Sequence, residues 1–462
     1  MSQNSIHHSL KSEIKNTLSL GIPFIAAQLI YACSGFIGIV MVARLGEDAL
    51  AASILVLTIW MSLFVFFFGI LSSICVLVAH QYGARNYQAI SEIMGQSFLF
   101  GMIICIPMSV ILFALPFFLQ WSHQPPQVLN LALEYMRALL WTIPGLVALV
   151  ILEQFLIGIG RTKLALRISL LVVPVEIVLM YVLIFGKVGL PVCGIAGIGY
   201  GLAVTNTGTA AVLIAYLLKS KYYQQYGIFR QIFQINKRYL KECLRIGLPM
   251  GLMHLIECST FAVATLWIAR FGTDILAAHQ IVMQYFHLCV PVVFAMSQTV
   301  TVRVGHAIGR QDVSGVRYAI YAGMLLTFFG ALCLAIAFIS VPQLFLAIDI
   351  NLADANNAEL IRNASLLLSI FSVLFLWDNC RIVIFGALRG LKDTRFAMYS
   401  SLIGFWAIGL TTAFLLSFVF DFKGPGIWWG LTAGIMSGAI ILIARLQYRL
   451  KRIDLKKIMK IF

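Results

Sequence analysis

Long apolar stretches separated by short polar connections recur along the whole chain. A helix that crosses ~30 Å of hydrocarbon needs about 20 mainly apolar residues, because each residue adds ~1.5 Å. A membrane barrel would instead show strict alternation over segments of about ten residues, which this chain lacks. The pattern therefore predicts an all-α integral membrane protein. Its twelve predicted spans are Leu18–Val42, Ile54–Val78, Ile93–Leu119, Met136–Ile159, Leu164–Phe185, Ile195–Leu218, Ile246–Ala269, Ile281–Val302, Ala319–Val341, Leu366–Ala387, Phe396–Val419 and Ile427–Leu442.

The second half of the chain repeats the pattern of the first. Gly21 and Pro23 of the first span match Gly247 and Pro249 of the seventh, and both pairs are 226 positions apart. The same offset persists to the matched histidines at 80 and 306. Six spans per half make this a parallel repeat about an axis along the membrane normal. The sequence thus predicts two pseudo-symmetric six-helix lobes, an N-lobe over 1–219 and a C-lobe over 243–462, joined by a cytoplasmic linker over 220–242.

Composition and charge agree with a membrane protein and orient it. Apolar residues make up 61% of the chain and charged residues 11%, whereas a soluble protein carries about a quarter charged. The 33 Lys and Arg exceed the 18 Asp and Glu, and they concentrate in alternate connections and the C-terminal tail. That distribution is typical of cytoplasmic loops rather than nucleic-acid binding. Both termini are therefore expected in the cytoplasm, with Asn4 and Lys456 inside and Asn351 outside.

Three acidic residues lie deep inside predicted spans. Glu257, Asp378 and Glu176 each lie 11 or 12 residues into a span, which is near the bilayer midplane. A charge at that depth costs ~2.5–3.5 kcal/mol on insertion scales, so it needs a partner or a wet cavity. His254 and Arg381 share helix faces with Glu257 and Asp378, three residues apart. These carboxylates either carry a transport function or form structural ion pairs between helices.

The remaining polar and aromatic positions are compatible with a substrate cavity. Midplane carboxylates attract organic cations, and aromatic faces bind them. The predicted cavity residues are Gln28, Tyr31, Phe261, Gln280, Gln284 and Trp377. The glycines at 194–201 open an apolar span, which favours close helix packing over phosphate binding. We therefore expect no enzyme activity and no cofactor.

The motifs of the C-terminal half resemble the multidrug and toxic compound extrusion (MATE) transporters. The segment Asp378–Thr394, "DNCRIVIFGALRGLKDT", is close to that family's tenth-helix signature, and "AAHQ" and "VRVGHAIG" accompany it. The resemblance covers essentially the whole chain and is closest to the bacterial norfloxacin-exporter branch. It implies a bacterial inner-membrane protein that works by alternating access, and it implies that Glu257 and Asp378 couple drug export to entry of hydrogen ion or sodium.

Several positions depart from the family pattern. Gly38 stands where an N-lobe aspartate is expected, Met180 stands at a second acidic position, and Glu176 is the remaining acid there. Leu374 replaces a tyrosine, and Arg381 adds a fixed positive charge one helical turn after Asp378. Sodium favours several oxygen ligands. A sodium site at Glu257 and Asp378 stays open, but these departures favour hydrogen ion. Glu257, with only His254 on its own face, is the preferred protonation switch.

The function predicted from these observations is cation/drug antiport, with amphipathic organic cations as substrates. The alternative is a lipid-linked oligosaccharide flippase of the same superfamily, although that activity calls for several cationic groups and only Arg381 is deep and basic. An intramembrane enzyme would need further paired catalytic groups. The expected partners are small organic cations and membrane lipid, with no nucleic acid, and the protein is expected to be a monomer.

Overall fold

The computed structural model describes residues 10–119, 125–232, 235–352, 354 and 357–459. Within these residues twelve helices are long and apolar enough to cross a membrane, and no strand is present. The prediction of a twelve-span, all-helical membrane protein is confirmed. Residue 4 and the last three residues, on which part of the predicted topology depends, lie outside the described ranges. The helices are α1 Leu10–Ala43, α2 Glu47–Gly83, α3 Tyr87–Leu119, α4 Pro126–Gly158, α5 Thr162–Phe185, α6 Ala196–Lys219, α7 Lys237–Ile268, α8 Thr273–Gly309, α9 Val313–Ser340, α10 Ala358–Gly390, α11 Thr394–Val419 and α12 Lys423–Lys451.

The internal repeat is visible in the backbone. Gly46 and Gly272 begin matched helices with φ of 114° and 109°, a conformation that glycine adopts without steric cost. Arg85 and Gln311, again 226 positions apart, both have left-handed φ of 56° and 59°. Equivalent turns therefore have equivalent geometry, and the repeat read from the sequence is a structural repeat.

The described residues form two compact units. The C-unit contains residues 10–21 and 252–459, and the N-unit contains residues 22–251. The boundaries fall inside α1 and α7, two residues from the internal prolines Pro23 and Pro249, and not in the 220–242 connection. Each unit therefore includes the first turns of a helix whose remainder lies in the other unit.

Small residues bring the helices of each unit into close contact. A Cβ at Gly390 of α10 would lie 2.8 Å from Val304 Cγ1 of α8, and a Cβ at Gly158 of α4 would lie 2.8 Å from Val78 Cγ1 of α2. Val78 and Val304 are repeat equivalents. Such close approach is typical of membrane helices, whose association depends on packing because lipid tails are as apolar as the side chains.

Candidate functional site

Arg381 joins a buried carboxylate, Asp378, and a half-buried one, Glu257, from different helices of the C-unit. Its Nη1 donates to Glu257 Oε1 of α7 at 2.6 Å, and its Nε donates to Asp378 Oδ1 of α10 at 2.9 Å. Nη2 also lies 2.7 Å from Asp378 Oδ1. The Arg381 and Asp378 side chains are each only 4% exposed. We call Glu257, Asp378 and Arg381 the C-unit triad; it carries two negative charges and one positive charge.

The triad adds a contact that the sequence reasoning did not consider. That reasoning compared residues on one helix face, where Glu257 has only His254. In the structure Arg381 of α10 contacts Glu257 across a sequence separation of 124 residues. An i,i+3 rule identifies partners on one helix, but it does not reveal a contact between two helices.

Hydrogen bonds join α8 to the part of α10 that follows Arg381. Ser297 donates to the Ile382 carbonyl oxygen at 2.7 Å, and Thr301 donates to the Gly386 carbonyl oxygen at 2.8 Å. A Cβ at Gly386 would lie only 2.4 Å from the Ser297 carbonyl oxygen. These contacts hold α10 closely against α8 over the turn that follows Arg381.

Phe405 of α11 forms one wall of the triad. The Arg381 guanidinium carbon lies 4.9 Å from its ring centroid, a cation–π distance. The backbone around Phe405 is π-helical from Leu402 to Leu410, and such segments are often found at functional sites. Phe405 was not among the predicted site residues, since in the sequence it is one more aromatic residue in an apolar span.

His254 lies at the edge of the triad. Its Nδ1 is 3.6 Å from Glu257 Oε2, longer than a good hydrogen bond. Its ring packs edge-on against Phe294 and Phe385. The predicted adjacency of His254 and Glu257 is therefore present, with an aromatic wall behind the histidine.

The N-unit contains two further membrane carboxylates, both facing α1. Tyr31 donates its hydroxyl to Glu153 Oε1 of α4 at 3.1 Å. Ser34 donates to Glu176 Oε1 of α5. Among the ion pairs of the described residues, none includes Glu153 or Glu176, in contrast to the C-unit triad. Sequence reasoning assigned Glu176 an accessory role and did not link Tyr31 to Glu153, because nothing in the order of residues specifies which helices meet.

The predicted cavity residues divide between the units. Gln28 and Tyr31 lie on α1 in the N-unit. The C-unit members do not converge on one point: Phe261 packs on Phe286 with centroids 4.8 Å apart and lies 6.4 Å from Phe405. Gln284 is exposed and donates to Asp349 Oδ1 at 3.4 Å. Gln280 is exposed, and Trp377 is half-buried one residue before the triad aspartate.

The triad does not fit a sodium ion held jointly by Glu257 and Asp378. Arg381 already donates to one oxygen of each carboxylate, Glu257 Oε1 and Asp378 Oδ1, which leaves fewer oxygens than the several that sodium favours. No group of three or more His, Cys, Asp or Glu side chains in the described residues could hold a metal ion. What the triad offers is a buried acceptor site with one net negative charge.

The sequence matches a known family over most of its length. The family model described as MatE covers residues 23–182 and 249–415. A probable multidrug resistance protein NorM from Agrobacterium fabrum is 32% identical, covering 96% of this chain and 95% of that protein. The protein of the same name from Pseudomonas aeruginosa is 31% identical, over 96% and 90% of the two chains.

Solved structures match the fold. A eukaryotic MATE transporter, AtDTX14, superposes with a TM-score of 0.84 at 20% identity, covering 97% of this chain and 98% of that chain. The Vibrio cholerae MATE transporter VcmN in its bent form gives a TM-score of 0.84 at 16% identity, over 96% and 98% of the two chains. At these identities the match establishes the architecture of the chain.

Proposed function

The chain belongs to the MatE family, and from that premise we propose that it exports amphipathic organic cations from a bacterial cell in exchange for an entering cation. The bacterial relatives described above carry the name multidrug resistance protein. The observation that carries the proposal is the C-unit triad, a net negative acceptor buried inside apolar helices. A charge is costly there unless it is used or paired, and the two carboxylates share one permanently charged partner, Arg381.

The triad supports competition between drug and coupling ion. Two carboxylates share one guanidinium, so a cationic drug contributes a second positive charge and completes neutrality. A hydrogen ion on either carboxylate also completes neutrality, and the two events then exclude each other. Mutually exclusive binding at one site is the thermodynamic requirement for exchange. Alternating exposure of that site to the two sides of the membrane turns exchange into export.

Hydrogen ion is the coupling ion that the residues support better. The Arg381 N–H groups occupy one oxygen of each carboxylate, and the Leu374 side chain offers no further oxygen. A hydrogen ion needs a single oxygen. Glu153 and Glu176 are additional candidates for protonation, because hydroxyl groups rather than cations face them.

The oligosaccharide flippase is less well supported. A pyrophosphate group needs uncompensated cations, whereas both carboxylates of the triad neutralise Arg381. Small molecules are therefore the proposed substrates, and membrane lipid surrounds the protein. We further propose an inner-membrane monomer in two six-helix lobes with both termini in the cytoplasm.

The proposal is tested by removing each carboxylate charge. We expect Glu257→Gln and Asp378→Asn each to lower drug export at least about tenfold, because an exchanger without the shared acceptor charge is uncoupled. The measurement is drug susceptibility and dye efflux in a pump-deficient bacterial host at matched membrane expression. Glu359→Gln is the matched control, since Glu359 is an exposed carboxylate in the first turn of α10. Export at the parent rate by either site variant would reduce that residue to a structural role.

A further inference from the structure

The first turns of α1 pack in the C-unit, although the rest of α1 lies in the N-unit. We call the described residues 10–21 the α1 foot. Thr17 is fully buried, and a Cβ at Gly21 would lie 2.7 Å from Met296 Sδ of α8. The foot is therefore seated closely on α8, and any movement of α1 must either carry this contact along or break it.

A bidentate ion pair links the α1 foot to α8. Arg303 Nε donates to Glu13 Oε1 and Arg303 Nη2 donates to Glu13 Oε2, both at 2.6 Å. The side chain of Glu13 is 2% exposed and that of Arg303 is 12% exposed. Parallel arginine–carboxylate hydrogen bonds of this kind are among the strongest and most directional in proteins.

The repeat places no ion pair at the two equivalent positions. Tyr239 and Leu77 occupy the positions 226 residues from Glu13 and Arg303, and both are buried. Tyr239 of α7 donates its hydroxyl to Glu92 instead, and α7 lies close to α2, since a Cβ at Gly247 would lie 2.3 Å from the Ile70 carbonyl oxygen. Buried ion pairs are seldom more stabilising than apolar side chains of similar size. The Glu13–Arg303 pair therefore needs a reason other than stability.

The surroundings of the pair supply that reason. It lies near the end of α8, where Arg310 and Asp312 form the connection to α9. Burial, and next the Arg303 charge, lower the pKa of Arg310, while Asp312 and Glu13 act in the opposite direction, so all four charges lie within electrostatic range. An ion pair is strong while it is dry, but water solvates both partners when it opens. An apolar contact gains no such compensation on opening.

We propose that Glu13 and Arg303 form a releasable latch, which holds the α1 foot on the C-unit and opens when α1 changes its packing. The role of the latch in transport rests on the proposed function. The ion pair itself is present in the protein without drug. It also explains why one of two repeat-related contacts is ionic and the other is not.

Hydrogen–deuterium exchange of the full-length protein in lipid nanodiscs, without drug, tests the latch. Peptides covering the α1 foot report the latch, and peptides covering 237–251 of α7 serve as the internal control. We expect Glu13→Gln and Arg303→Gln each to raise amide exchange in the α1 foot at least about tenfold, with residues 237–251 unchanged. In the double variant, exchange should not exceed that of the faster single variant, because both substitutions break one interaction.

Three results would overturn the latch. These are unchanged exchange in the α1 foot, equal acceleration in both segments, and additive effects in the double variant. If a single variant does not fold because it leaves one buried charge, the double variant decides alone, and unchanged exchange in the α1 foot again rejects the proposal. Exchange does not depend on export, so a protein that transports no drug can still confirm the latch.

Discussion

Arg381 is the residue that distinguishes this site from a simple pair of acids. It satisfies Glu257 and Asp378 together and stacks near Phe405. Removing one partner of a buried charge cluster typically costs ~3–5 kcal/mol, because the remaining charges lose their compensation. When Arg381 is replaced, the two carboxylates should therefore bind another cation.

We expect Arg381→Gln to create a sodium response that the parent protein lacks. Without the guanidinium, Glu257 and Asp378 lose their shared partner. A small cation can then take the place of the guanidinium. Binding to the folded state alone raises stability by about 2.7 kcal/mol at a hundred times the dissociation constant. The measurement is the thermal unfolding midpoint in detergent, in sodium chloride and in choline chloride. An equal sodium shift in the parent protein would mean that Arg381 does not guard the site.

The sequence identified the acids of the site but not their connections. Glu257, Asp378 and Arg381 are recognisable because ionisable groups are rare and expensive in apolar spans. The bridge between Glu257 and Arg381 joins α7 to α10 and depends on how helices far apart in sequence pack. Ser34 and Phe405 were missed for a related reason, since a serine or phenylalanine inside a span carries no signal until its neighbour is known.

At the scale of helices, hydropathy predicted all twelve spans but not their ends. The span predicted over Ile54–Val78 is part of a helix that runs from Glu47 to Gly83. Hydropathy marks the part that lies in hydrocarbon, whereas backbone hydrogen bonding continues into the polar boundary and ends at a turn. The π-helical segments Leu402–Leu410 and Leu415–Val419 were also not predicted, because hydropathy does not distinguish a π-helix from an α-helix. Here α11 packs closely against glycines of α12.

Close helix packing at glycines leads us to expect different costs for alanine at Gly430 and at Gly201. A Cβ at Gly430 of α12 would lie 2.2 Å from the Ala413 backbone nitrogen, so Gly430→Ala forces α11 away and should destabilise the protein by ~1–3 kcal/mol. Gly201 ends the segment GIGYG at 197–201 as Gly430 ends GIWWG at 426–430. Gly201→Ala should cost less, because the nearest atom, at 2.8 Å, is in the side chain of Met180. The measurement is the thermal midpoint together with the folded yield from membranes.

Gly330→Ala is the matched control for these two variants. Gly330 is exposed in the middle of α9 with no atom within 4 Å of a built Cβ, so alanine there should leave stability unchanged or slightly raised. A Gly430→Ala protein as stable as the Gly330→Ala protein would show that α11 tolerates separation from α12.

At the scale of the whole molecule, topology follows from the distribution of Lys and Arg. We expect Lys456 on the cytoplasmic side and Asn351 on the outer side, because positive residues are retained in the cytoplasm. Both are exposed, so single-cysteine variants at these positions should react with a maleimide. In intact cells an impermeant maleimide should label position 351 and not position 456, and permeabilised cells provide the control. The reverse pattern would invert the orientation of all twelve spans.

The ion gradient that drives export is also a property of the whole molecule. Arg381 occupies one oxygen of each triad carboxylate and leaves too few for sodium, whereas a hydrogen ion needs only one oxygen, so a pH gradient should suffice. In inverted membrane vesicles we expect drug uptake when the interior is acidified in sodium-free buffer, and no uptake when a sodium gradient is imposed at equal pH. Vesicles with Glu257→Gln protein at matched membrane content lack the shared acceptor and should show uptake in neither condition. Uptake by the parent with the sodium gradient alone would contradict the assignment, because the Arg381 guanidinium would then have to leave the two carboxylates during transport and give its place to sodium.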